Sequence, residues 1–135
     1  MSAVEAIKRG LEAAEYLAAV DNKDLVQWAD DLARTVQAAG LKTSQIRKFL
    51  DGVRKVDLQI KRQGKETTAQ QAAVLLKIHL VYAAARQRRQ VQPLADVLSL
   101  AIEKIRPGEA GREDFEKFLR FVEGVIAYHR FYGGD

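Results

Sequence analysis

The chain has 135 residues, 47% of them hydrophobic, with no cysteine and a net charge of +4. That length and apolar content suit a single folded domain over 1–135 rather than a disordered tail, and the lack of cysteine excludes disulfides and thiolate chemistry. The opening residues lack the cationic lead and apolar run of a secretory signal, and the apolar stretch 72–85 is too short to span a bilayer and holds Lys77 and His79, so a cytoplasmic protein with no membrane partner is expected.

Apolar residues recur at three- and four-residue spacing almost throughout, and strand-like alternation is absent. The expected fold is therefore all-α, a compact bundle of five to six helices around a buried central helix. Ser2 with Glu5 has capping-box spacing before a first helix over about 3–19, Ala-rich and weakened inside by Gly10. Asp21 is placed to cap a second helix that carries Leu25, Trp28, Leu32 and Val36, reaches about 39 and stops at Gly40. Thr43 or Ser44 caps a third helix, which Gly64 ends. Thr67 with Gln70, or Thr68 with Gln71, opens a fourth helix running to about 90. Its stretch 72–85 is apolar on nearly every side, which predicts the central helix of the bundle, with the others packed around it. Pro93 fits the first turn of a fifth helix ending near 105. Beyond the Arg106-Pro107-Gly108 break, a sixth helix covers about 112–131. Its inner arc holds Phe115, Phe118, Leu119, Val122, Val125, Ile126 and His129. Its outer side carries Gly124, Ala127, Phe131 and Arg120, where small residues admit close approach of another helix.

Charge is unevenly spread. Residues 1–41 sum to −3 and residues 90–135 to −2, whereas residues 42–89 sum to +9. A basic block between mildly acidic flanks marks a local face for a polyanion. In the third helix Ile46, Phe49, Leu50, Val53, Val56 and Ile60 share one arc, and three basic pairs straddle the opposite one. Arg47, Arg54 and Lys61 form one stripe; Lys48, Lys55 and Arg62 form the other. Successive pairs stand about 10 Å apart along the axis, an interval at which cations can engage successive phosphates. The plainer reading is a solvated face, with Asp51 pairing Arg47 or Lys55. Against it, Asp57 falls on the apolar side and Leu58 projects between the stripes. Arg86, Arg88 and Arg89 follow as a second cluster at the end of the fourth helix. One cation suffices to offset the helix dipole there, so three suggest a patch. Lys77 is either a snorkelling side chain or a ligand contact.

Catalytic chemistry is not visible. No phosphate loop, dinucleotide fingerprint or nucleophile elbow occurs. His79 and His129 lie on different helices, and each is read as a hydrogen-bonded core residue. Glu113, Asp114 and Glu116 are read as serving the dipole of the sixth helix. No enzyme activity, metal, cofactor or small-molecule substrate is expected.

Three segments in order, KTSQIRKFLDGVRKV at 42–56, LLKIHLVYAAARQR at 75–88 and FEKFLRFVEGVIAYHRFYGG at 115–134, resemble the small helical subunit of type III-A CRISPR effector complexes, the Csm small subunit. The resemblance covers roughly 25–134, and the first helix, within 1–20 outside the core 21–132, is the least family-typical part. It implies a non-catalytic subunit that lines up in several copies along the guide RNA–target RNA duplex. The implied partners are that duplex, other copies of itself and the backbone and large subunits of the complex. It also implies contacts with the target-strand backbone from Gln45, Arg47 and Lys48, from Lys77 and Arg86, and from Tyr128 and His129. The residues themselves mark Arg47, Lys48, Lys77 and Arg86 independently, but make His129 structural.

Two other readings stand beside this one. A DNA-binding helix in a major groove needs short polar base readers on its outer face, and only Gln59 and Asp51 come near. A helical protein-interaction scaffold, or a nonspecific nucleic-acid binder outside CRISPR, fits the same composition.

Overall fold

The computed structural model describes residues 2–63 and 69–135, and the regular structure among them is helical. In chain order the helices are α1 (Ala3–Ala13), α2 (Asn22–Ala38), α3 (Thr43–Gln63), α4 (Ala69–Val74), α5 (Leu76–Arg86), α6 (Arg88–Glu103) and α7 (Gly111–Phe131). A 3-10 turn at Leu17–Ala19 lies between α1 and α2. The segments α4 and α5 are two pieces of the expected fourth helix. The expected stop at Gly64 and the caps at Thr67 and Thr68 lie outside the described residues.

Local chemistry sets most of the helix ends. The Ser2 hydroxyl accepts from the Glu5 N–H at 3.1 Å, and the Asp21 carboxylate accepts from the Lys23 N–H at 2.7 Å. Gly40, at φ +91°, adopts the left-handed conformation that ends α2. The first helix is shorter than its alanines predict. The chain is extended at Ala14, and the next amides bond elsewhere: the Leu17 N–H to the Lys104 carbonyl at 2.9 Å, the Ala18 N–H to the Asp114 carboxylate at 2.8 Å. Those distant acceptors, with burial of Leu17 and Val20, outweigh helix propensity.

The centre of the fold is α7, not the stretch 72–85. Against α7 pack α2, α3, α4 and the 3-10 turn, and the whole inner arc expected from its sequence is buried. On α4 and α5 only Ala69, Ala73, Leu76, Leu80 and Ala84 are buried, while Val74, Leu75, Ile78, Val81 and Tyr82 are exposed. Apolar residues on every side leave the inward face unspecified. The fold turns Leu76, Leu80 and three alanines inward and leaves the other large ones outside.

The fifth helix also begins earlier than expected. Gln87, at φ −140° and ψ 63°, separates α5 from α6, so Pro93 lies inside α6. The acceptor that Pro93 leaves without an intrahelical partner belongs to Arg89, an exposed residue, where the loss costs least. Two glycines allow close approach. A Cβ at Gly10 would stand 2.3 Å from the Trp28 ring, and one at Gly124 3.1 Å from the Ala29 Cβ. The helix that approaches the small residue of α7 is thus α2 of the same chain.

Candidate nucleic-acid interface

The start of α3 is held by the end of α7. The His129 side chain is fully buried; its Nε2–H donates to the Leu41 carbonyl at 2.7 Å. Because a carbonyl only accepts, this bond fixes the tautomer, and the Thr43 hydroxyl donates to Nδ1 at 2.8 Å. Gly134 closely approaches the ring, where a Cβ would fall 2.0 Å from Nδ1. The sequence reading of His129 as structural agrees with this geometry. Tyr128 is half-buried and stacks on Tyr132, with ring centroids 6.5 Å apart.

The opening turn of α3 is built by Gln45. Its carbonyl oxygen accepts from the Lys42 N–H at 3.0 Å, and its amide NH2 donates to Gln87 Oε1 at 2.6 Å. Both ends of Gln45 are therefore occupied, one capping α3 and the other tying it to the α5–α6 turn.

The two basic stripes of α3 differ. One is largely ion-paired: Arg54 reaches Glu123 of α7 at 3.3 Å, and Lys61 pairs at 2.8 Å with Asp57 of α3 itself, which the sequence reading sets on the apolar side. The Asp57 hydrogen bond raises the Lys61 ammonium above its ordinary pKa. Arg47, at the head of this stripe, is exposed, and Asp51 pairs with neither Arg47 nor Lys55 among the described residues. In the other stripe, Lys48, Lys55 and Arg62 are exposed and form no ion pair among the described residues. Leu58 projects into solvent between the stripes, as its position predicts.

Lys48 and Lys55 stand on one bank of a groove between α3 and α4–α5. A cavity of about 540 Å³ occupies one end, with Lys42, Gln45 and Lys48 on the α3 side and His79, Tyr82 and Arg86 on the α5 side. Leu76, Leu80, Leu94 and Phe49 line it with apolar surface. A second hollow of about 410 Å³ shares Leu76 and His79 and continues past Lys55 and Gln59.

Of the residues singled out in the sequence, Gln45, Lys48, Lys55 and Arg86 come together at this groove. Lys77 does not. It turns toward α6, where Glu103 accepts from its Nζ at 3.0 Å. Arg88 and Arg89 are exposed but do not line the cavity. They occupy the first turn of α6 instead of the last turn of the helix before it. Helix-dipole compensation fails as an explanation for them, since cations are unfavourable at a helix N-terminus.

Sequence reasoning missed Lys42, His79, Tyr82 and Gln87. His79 is exposed at the groove and is not a core residue. The usable signal was the spacing of His79, Tyr82 and Arg86, three polar-tipped side chains on one face of a helix taken as buried. Asp114 lies in the first turn of α7, as the dipole reading expects, and also does more. Fully buried, it accepts from the Ala18 N–H, the Arg106 N–H and the Arg106 guanidinium, all at 2.8–3.0 Å.

Among the described residues no three His, Asp or Glu side chains gather as a metal site, and no helix is long and apolar enough to cross a membrane. The family model described as Csm2 Type III-A matches residues 19–135, everything beyond α1 and the segment just after it. No curated protein matches the chain.

Proposed function

The chain belongs to the Csm2 family, the small subunits of type III-A CRISPR complexes, and from that premise we propose that it is a non-catalytic subunit whose α3–α5 groove tracks an RNA backbone. Several copies stack along the guide RNA–target RNA duplex in the cytoplasm, beside the backbone and large subunits, and each contacts the target strand. The observation that carries this reading is the groove itself. Lys48 and Lys55 lie along one bank and Arg86 on the other, and none forms an ion pair among the described residues. Backbone contacts of this kind position a protein without reading sequence, which suits a complex that recognises its target by base pairing. In a reconstituted complex, Lys48→Glu/Lys55→Glu is expected to weaken target-RNA binding and to leave assembly intact. Undiminished target binding overturns the reading.

The scaffold reading contributes a second face. Val74, Ile78 and Val81 form an exposed apolar ridge along α4 and α5, outside the groove-lining residues. This ridge supports contact with a neighbouring copy in the stack. Normal stacking of an Ile78→Asp/Val81→Asp subunit in the complex overturns that assignment.

A further inference from the structure

We infer that the cavity beside Lys48 takes an unstacked nucleobase of the bound strand, so that this subunit grips RNA by a base as well as by its phosphates. The inference rests on the RNA reading of the groove and goes beyond backbone tracking. Backbone tracking alone needs only the cations along the banks of the groove, Lys48, Lys55 and Arg86. The cavity adds what a phosphate does not use. Leu76 and Leu80 give it apolar surface, and His79, Tyr82 and the hydrogen-bonded amides of Gln45 and Gln87 also line it. The Gln87 NH2 has no hydrogen-bond partner among the described residues and can donate to a base edge.

The volume, about 540 Å³, falls within the roughly 300–1,000 Å³ of small-molecule sites. Tyr82 is 66% exposed, which no requirement of the core explains. An aromatic ring at a cationic groove is a stacking platform for a base, and such stacking tolerates any sequence because every base has a π-face. Cations stand on both banks, Lys42 and Lys48 on one and Arg86 on the other. A nucleotide inserted base-first leaves its two flanking phosphates at the mouth, between those charges.

The test compares two ligands of the full-length protein by fluorescence anisotropy. One is a short mixed-sequence oligoribonucleotide; the other is the same ribose-phosphate chain with every base removed. The intact RNA is expected to bind about 5- to 150-fold more tightly, the range of one stacked base. Tyr82→Ala should erase that difference without changing the salt dependence, and Tyr82→Phe, which keeps the ring, should preserve it. Equal binding of the two ligands overturns the base pocket and leaves the backbone reading standing. So does a Tyr82→Ala protein that loses affinity for both ligands alike. Binding of neither ligand, even at low salt, overturns the backbone reading and the base pocket together.

Discussion

Two regions of this chain handle polar groups in opposite ways. Around α7 the buried polar side chains are answered inside the molecule: Asp114 by four N–H donors from two segments, His129 by a carbonyl and a hydroxyl. Along the α3–α5 groove, Lys48, Lys55 and Arg86 stand without acids among the described residues, and large apolar side chains beside it stand without a covering layer. The first region spends its polar chemistry on holding the fold. The second carries a surplus that folding does not use, and such surplus is the physical sign of a partner.

If that division is right, substitutions in the two regions separate stability from binding. The largest stability effect is expected from Asp114→Ala. It strands the Ala18 and Arg106 amides and a partly buried guanidinium, for a loss of about 3 kcal/mol in urea denaturation. His129→Ala should follow at about 2 kcal/mol, leaving the Leu41 carbonyl and Thr43 hydroxyl unmatched. Amide exchange should then quicken first around 41–46, where the ring holds the start of α3. The smallest effect sharpens the contrast most. Arg88→Glu/Arg89→Glu exchanges cations for anions at the N-terminus of α6 and should raise stability by about 0.5 kcal/mol. The same variant should bind RNA less tightly, a gain in folding coupled to a loss of binding. Destabilisation by that variant would mean the two arginines serve the fold after all.

Much of the first region was legible in the sequence. The inner arcs of α2, α3 and α7 are amphipathic, so Leu32, Ile46 and Phe118 declare their direction by spacing alone. Asp21 and Gly40 declare the ends of α2 by their own chemistry. The end of α1 was not legible, because the groups that unwind it, the Lys104 carbonyl and the Asp114 carboxylate, lie far along the chain. The break at Gln87 was missed because Pro93 offered a plausible helix start a few residues later.

The groove was half legible. Charge pattern marks Lys48, Lys55 and Arg86 but does not say which stripe of α3 is ion-paired; that depends on Glu123 of α7. The opposite bank was hidden by hydrophobicity itself. A helix apolar all round carries no directional signal, so Tyr82 and His79 were assigned to a core they do not enter.

The most direct measurement is RNA binding across a salt series for the wild type and Lys48→Ala/Lys55→Ala/Arg86→Ala, with denaturation curves run on both. All three side chains are exposed, so the stability change is expected to stay within about 0.5 kcal/mol for each substitution. With about 0.7 of slope lost per single-strand phosphate contact removed, log K against log salt should flatten by about 2 in the variant. An unchanged slope in an equally stable protein would contradict the account, because the charges left over by folding would then not be the ones that meet RNA.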